Sequence, residues 1–371
     1  MKVYQVGGSV RDELLQLPVA DRDYVVVGAS PDELIALGYK PVGRDFPVFL
    51  HPETHEEYAL ARTERKTAPG YQGFVFHTDK EVTLEEDLAR RDFTINAMAQ
   101  GEDGVLVDPY NGQDDLRAGV LRHVSEAFAE DPVRILRCAR FAARFGFTVA
   151  PETLALMRRM SANGEVDALV AERVWQELAR GLMEQDPVRM FAVLEDCGAL
   201  ARVMPESQPW AAQADNMRAL AHAAKLGLSL PVRFAAFAGS YDEAKLQALC
   251  ERLRVPSDCR DLAVVYVRNA QALAGGATLD ATALAELVQR TDGLRQPARF
   301  LSLAAVAHTY AEGVRGDTGY RRAVKRLQLA LDTARGIDAG AIARVQPNPQ
   351  AIAQALLAAR IAAIEAALLH L

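Results

Sequence analysis

Hydrophobic and polar positions change rhythm once along the 371-residue chain. Up to about residue 115 the apolar residues come in short runs rich in Val and Tyr, such as Val3 to Val6, Tyr24-Val25-Val26-Val27 and Pro47-Val48-Phe49-Leu50. Runs of this kind between Gly, Pro and Asp predict strands and turns. From about Asp131 onward Ala, Leu, Arg and Glu dominate at spacings of three and four, which predicts helices. Strands followed by helices predict an α+β chain, a small α/β head joined to an all-helical body. Pro205-Glu206-Ser207-Gln208-Pro209 marks a break inside the helical part. The segment from Pro349 to Leu371 reads as an Ala/Leu-rich helix packed on the body, its interior charges being Arg360 and Glu365. No internal repeat of fixed period is present.

Composition narrows the class. The length predicts two or three domains, and 50% hydrophobic with 25% charged residues excludes global disorder. The net charge of −7 argues against a protein that coats nucleic acid by bulk charge. The N-terminal apolar run is too short for a signal peptide, and later apolar stretches are interrupted by Arg, Glu or Gln, so no membrane span is expected. Cys138, Cys197, Cys250 and Cys259 form no CxxC pair and read as reduced core residues of a cytoplasmic protein.

Four blocks carry chemistry. In Val6-Gly7-Gly8-Ser9-Val10-Arg11 a strand runs into paired glycines and a helix start, where close backbone approach and free N–H groups suit a phosphate and Arg11 adds a cation; a plain tight turn is the simpler reading. In Asp21-Arg22-Asp23-Tyr24, a strand beginning near Asp21 puts both carboxylates on one face, a pair that suits Mg²⁺ with substrate phosphates. Two solvated acids before a strand are the alternative. Arg90-Arg91-Asp92-Phe93-Thr94-Ile95-Asn96 offers phosphate partners and ribose hydrogen-bonding groups, although Asp92 also reads as a helix cap. Asp131-Pro132 is a helix-start signal, and Arg134, Arg137, Arg140 and Arg144 then recur without an acid before Glu152. A stripe of arginine alone points to an anionic partner.

In this order the blocks resemble the class II tRNA nucleotidyltransferases, the CCA-adding enzymes, and the related poly(A) polymerases. The resemblance rests on Gly7 to Leu15 with Asp21 and Asp23, Arg90 to Ala97, Asp108 to Leu116, Glu130 to Arg134, and Glu172 to Leu178, and covers about residues 1 to 205. It implies a polymerase beta-like catalytic head over 1–118, a helical neck carrying the base template over 119–205, and a helical body and tail that bind tRNA over 206–371. It implies that Asp21 and Asp23 hold Mg²⁺, that Gly8 and Arg11 contact the triphosphate, and that Arg91, Asp92 and Asn96 belong to the ribose motif. Asp131 and Arg134 would read the base edge of CTP and then ATP, with Arg137 and Arg140 completing the nucleotide site. A carboxylate and an arginine are the groups that read base edges elsewhere. The template role competes with the cap reading of Asp131. Glu57 reads either as a third metal carboxylate or as a solvated strand residue.

Gly43 to Pro52 and the loop Ala61 to Thr67 resemble bacterial CCA-adding members rather than poly(A) polymerases. The expected reaction is attack of the tRNA 3′-hydroxyl on the α-phosphate of CTP and then ATP; a non-catalytic RNA-binding relative is the competing class. Residues 206–371 contain no His-Asp dipeptide, and His222, His308 and His370 look scattered and without carboxylates at ligand spacing, so the His-Asp phosphohydrolase domain of longer relatives is expected to be missing. Between 290 and 335 nine basic residues stand against four acidic ones. Arg321, Arg322, Lys325 and Arg326 are the candidate tRNA-backbone contact, with a solvated helical face as the alternative. The oligomeric state stays open.

Overall fold

Lys2–Val6 (β1) and Asp23–Val27 (β2) are the central strands of a mixed sheet, antiparallel with Val6 opposite Asp23. In this computed structural model the described residues are 1–19, 21–42, 48–66, 74–77 and 80–371, with backbone alone for 63–66 and 74–77. Residues Gly43 to Pro47 and Thr67, part of the runs read as typical of CCA-adding members, lie outside the described residues. The chain divides into two units, Met1–Glu177 with Arg189–Val203, and Leu178–Val188 with Met204–Leu371.

In the first unit Gly8–Leu14 (α1) follows β1 directly. Pro31–Ala36 (α2) begins at Ser30, whose capping box with Glu33 satisfies both ends of the first turn. Lys40–Val42 (β3), Val48–Leu50 (β4) and Glu57–Leu60 (β5) pair antiparallel, and β5 then runs parallel to β2 with Glu57 opposite Asp23. Thr63–Lys66 (β6) and Phe74–His77 (β7) form a separate ribbon. After Leu84–Ala89 (α3), Ala99–Gly101 (β8) and Leu106–Val107 (β9) complete the sheet in the order β3-β4-β5-β2-β1-β8-β9.

Alternation along β2 explains the two cores. Val25 packs with Val6, Leu84 and Leu88 under α3, while Val26 packs on the other face with Leu34 of α2, Phe49 and Leu60. Leu34 and Leu88 are fully buried, each worth about 1.5–3 kcal/mol of burial. One expectation changes here: the strand begins at Asp23, not at Asp21, so Asp21 lies on the preceding segment and period-two alternation does not set its direction.

The rest of this unit is helical apart from one short parallel strand pair. Gly112–Ala118 (α4) is capped by Asp108, which accepts from the Gly112 and Gln113 N–H groups at 2.7 and 2.9 Å. Val120–Leu121 (β10) pairs parallel with Thr148–Val149 (β11) around Val133–Phe145 (α5), followed by Pro151–Ala162 (α6). Ala171–Met183 (α7) and Pro187–Asp196 (α8) cross the unit boundary, and Leu200–Val203 (α9) ends the unit.

The second unit is all-helical among the described residues. Ala214–Lys225 (α10), Leu230–Ala238 (α11), Glu243–Arg252 (α12), Ser257–Ala274 (α13) and Ala281–Arg290 (α14) precede Pro297–Gly313 (α15), Arg321–Arg335 (α16), Ala339–Arg344 (α17) and Pro349–Leu368 (α18). Buried Arg233 of α11 donates to the carbonyls of Leu182 and Glu184 at 2.9 Å, satisfying acceptors at the C-terminal end of α7. α18 packs along α14 and α16 with Ile364 fully buried. Contrary to the expectation from interrupted apolar runs, α18 is long and apolar enough to cross a membrane by length and composition, because Arg360 and Glu365 are too few to lower its mean hydropathy of 1.6.

Candidate active site

Gly7 sits at the turn between β1 and α1 with φ +73° and ψ −129°, backbone that only glycine adopts without strain. A Cβ there would lie 2.7 Å from Nη1 of Arg91. The turn therefore lets the Arg91 guanidinium lie against the main chain. Asp87 of α3, 1% exposed, accepts from Arg90 and Arg91 at 3.5 and 3.3 Å and from the Arg62 backbone N–H at 3.3 Å. One buried carboxylate thus aims two adjacent arginines.

Arg90 and Arg91 line a cavity of about 440 Å³ in the first unit, within the roughly 300–1,000 Å³ typical of small-molecule sites. Asp23 and Glu57 form its sheet wall, and Asp92, Asp131, Arg134, Arg137, Arg173 and Arg62 also line it. Desolvation by the wall pushes Asp23 above its ordinary value; Arg91 pulls it down and the Asp21 charge pushes it up again. The register places Asp23 and Glu57 side by side on parallel strands. Asp23 and Glu57 put carboxylate oxygens on this wall, and Asp21, whose charge acts on Asp23, lies outside the lining; carboxylate oxygens are the donors that hard divalent cations take.

The arginines of α5 each have a partner supplied by another part of the unit. Arg134 donates to the carbonyls of Ala127 and Arg90 at 2.9 and 2.7 Å. Arg137 is forked onto Asp92 at 2.7 and 2.8 Å, Arg140 onto buried Glu177 at 2.6 Å, and Arg144 onto Asp12 at 3.0 Å. What this corrects is the picture of the stripe as a row of arginine alone. Acids distant in sequence neutralise three of its four arginines, which local spacing does not reveal.

Asp92 is the most connected of these groups. Its Oδ1 accepts from the Phe93 N–H and from Asn96, both at 2.9 Å, and its Oδ2 takes Arg137. Burial pushes the carboxyl up, but Arg137 and Asn96 outweigh it and hold the group at about 2. Asp131 meets the cap reading, since its Oδ1 accepts from the Val133 N–H at 3.1 Å, and it has a further partner in Arg173, which forks onto both oxygens at 3.1 and 2.8 Å.

Three expected ligand contacts are not met in this geometry. Arg11 is 3% exposed, donates to Asn96 Oδ1 at 2.6 Å and to Asp12 at 2.8 Å, and lies against the Phe141 and Phe145 rings. Asn96 is spent between Arg11 and Asp92, and Arg140 on Glu177. These residues brace the cavity from behind, and Gly8 lies at the start of α1 outside its lining. Sequence reasoning missed Asp87 and Arg62 and gave Arg173 no role. A buried acid inside the first turn of a helix was the available signal for Asp87.

The Poly A polymerase head domain family matches residues 3–122, and the family described as "Probable RNA and SrmB- binding site of polymerase A" matches residues 146–210. The Multifunctional CCA protein of Paraburkholderia phytofirmans is 53% identical over 99% of this chain and 100% of that protein. The Multifunctional CCA protein of Burkholderia multivorans is 55% identical over 99% of each. The chain belongs to the multifunctional CCA protein family. The CCA-adding enzyme of Thermotoga maritima, solved in complex with tRNA_CCA, shares the fold with a TM-score of 0.71 at 23% identity, over 100% of this chain and 91% of that one. The family head is the polymerase beta-like sheet unit and its body the helical unit described above.

In the second unit Arg321, Arg322 and Lys325 are exposed at the start of α16, with Arg321 3.4 Å from Glu312. Arg326 is instead half-buried and donates to the Leu279 carbonyl at 2.5 Å, so it braces the fold rather than adding to the basic face. Two of the three histidines of the tail, His222 and His308, are not scattered as the sequence suggested. Packing of α10 on α15 brings His222 and His308 to one carboxylate, Glu312.

Proposed function

We propose that this nucleotidyltransferase rebuilds the 3′-terminal CCA of tRNA from CTP and ATP, releasing pyrophosphate without a nucleic-acid template. The observation that carries the reading is the cavity, with a carboxylate wall on β2 and β5 facing arginines that are each oriented by an acid or a carbonyl. Asp21 and Asp23, with Glu57 beside them, would hold Mg²⁺. When bound, that ion activates the attacking hydroxyl and steadies the pyrophosphate.

The remaining steps belong to the chain's own groups. Arg91, fixed between Asp87 and the Gly7 turn, holds phosphate oxygens by charge-assisted hydrogen bonds. Gly8 lets the main chain approach the same phosphates. Asp92 and Arg137 flank the ribose as a pair; Asn96 and Arg11 keep Asp92 in place from behind. Asp131 and Arg134 read the base edge, their rotamers fixed by Arg173 and by two carbonyls. A wrong base leaves those groups unpaired, which is where strong discrimination comes from.

On this reading residues 1–118 carry the chemistry, 119–205 the base template and 206–371 the tRNA, whose backbone meets Arg321, Arg322 and Lys325. We place the enzyme in the cytoplasm, in keeping with four buried, unpaired cysteines. The test supplies purified protein with Mg²⁺, tRNA lacking its 3′ end, and labelled CTP and ATP. Addition of C, C and A is expected, and Asp21→Ala with Asp23→Ala is expected to abolish it while leaving the fold intact. Long A tails, or unchanged addition by the double variant, would refute the reading.

A further inference from the structure

The second unit holds a cluster that CCA addition does not use. His222 on α10 and His308 on α15 both direct Nε2 at Glu312, also on α15, at 3.3 Å from Oε2 and 2.9 Å from Oε1. Both Nε2 atoms are buried and neither makes an aligned hydrogen bond, although each lies beside a carboxylate oxygen. One ligand atom from each residue lies within 4.8 Å of the other two, the group of this kind found among the described residues. The side chains are 18%, 17% and 12% exposed, shielded but open on one side.

We infer that His222, His308 and Glu312 form a site for a borderline transition-metal ion of the Zn²⁺ class, joining α10 to α15. Two imidazole nitrogens and a carboxylate are a donor set for Zn²⁺ or Co²⁺ rather than Mg²⁺. With metal–ligand bonds of about 2.0–2.2 Å, donor atoms on a tetrahedron lie about 3.3–3.6 Å apart, which the His222 spacing of 3.3 Å matches, while the His308 spacing of 2.9 Å has to open by about 0.4 Å on binding. Close approach of two imidazole nitrogens to one carboxylate is the arrangement an ion between the donors uses.

The backbone supports the same reading. A Cβ at Gly313 would lie 2.7 Å from the His222 Cβ and 3.1 Å from the Arg218 carbonyl. Glycine at the end of α15 therefore permits the close approach that brings His222 over Glu312. The Tyr320 ring lies parallel to that of His308, 6.2 Å away at 13°, and steadies it. Arg321 competes for the carboxylate at 3.4 Å, but its side chain is 75% exposed and free to leave. Three protein ligands leave the fourth position to water.

The test uses the full chain, stripped with chelator and titrated with Co²⁺ and then Zn²⁺. One equivalent of Co²⁺ should give the strong visible bands of a tetrahedral nitrogen-ligated ion, which Zn²⁺ removes, and Zn²⁺ should raise Tm. Ions held by carboxylates alone, as at Asp21 and Asp23, absorb only weakly. His308→Gln and Glu312→Gln should each weaken binding at least tenfold while keeping the far-UV spectrum and metal-free Tm of the parent. Absence of these bands in the parent, or their persistence in both variants, would overturn the assignment. The parent titration decides even where a variant fails to fold.

Discussion

The paired glycines are separable by a substitution that treats them alike. Gly7→Ala puts a side chain where φ is +73° and a Cβ 2.7 Å from the Arg91 guanidinium, whereas Gly8→Ala puts one at 3.4 Å from Arg11, an ordinary van der Waals distance. The strained backbone at position 7 costs about 1–3 kcal/mol. For a unit of this size each kcal/mol lowers Tm by about 2–4 °C, so Gly7→Ala should lower the transition of the first unit by about 4–8 °C at a cost of 2 kcal/mol. Arg91 is the flexible partner and must yield, so kcat/KM for CTP should fall at least about tenfold, or about 1.4 kcal/mol. Gly8→Ala should keep the parent Tm and raise KM for the nucleotide, because its strain is absent and its proposed role is approach to the phosphate. Differential scanning calorimetry and steady-state incorporation into tRNA lacking its 3′ end read both effects. Parent-like stability and activity in Gly7→Ala would show that the turn does not position Arg91.

Three further outcomes follow from the same geometry. Asp92 is held at about 2 against an ordinary 3.8, worth about 2 kcal/mol at neutral pH. That stability is complete above pH 3.8 and lost as pH falls toward 2, so Asp92→Asn should be less stable at pH 7 and the gap should close below pH 4 in denaturant titrations. Arg140 and Glu177 are each 7% exposed in side chain; Glu177→Ala should cost about 3–5 kcal/mol by stranding the guanidinium, whereas replacing both with Met should be near neutral, as urea midpoints would report. Arg173→Lys loses the fork on Asp131 and should raise misincorporation of UTP by about tenfold in competition assays.

Much of the head was legible because its signals are local. The β1–Gly7–α1 turn and the start of α5 near Asp131 follow from turn and cap chemistry within a few residues. What the sequence concealed is long-range pairing. Asp12 meets Arg144 across 132 positions, Arg11 meets Asn96 across 85, and Glu177 meets Arg140 across 37. No periodicity carries that information. The helical tail was legible as helices but not as a site, because His222 and Glu312 are neighbours only once α10 lies on α15.

The corrected arginine stripe explains how one cavity can be both strongly charged and stable. An unpaired row of guanidinium groups on α5 would repel itself and resist burial, since desolvating a charge costs several kcal/mol. Pairing with Asp12, Asp92 and Glu177 removes that cost while fixing each fork in direction. The three acids divide the work by depth. Glu177 and Arg140 are sealed at 7% exposure, whereas Arg137 keeps 33% of its side chain exposed and Arg144 32%. Arg137 faces the cavity with part of its donor set uncommitted, ready for a ligand oxygen without first breaking its pair. Preorganised donors of this kind need no reorientation when substrate binds. The same arrangement makes Asp92 the residue whose loss frees most: Arg137 loses its direction, Asn96 loses its acceptor, and Arg11 loses the support behind Asn96. Asp92→Asn keeps the neutral hydrogen bonds and removes only the charge, so its effect should be smaller than that of Asp92→Ala. Equal losses in the two variants would locate the bracing in the Arg137 ion pair rather than in the Asn96 hydrogen bond.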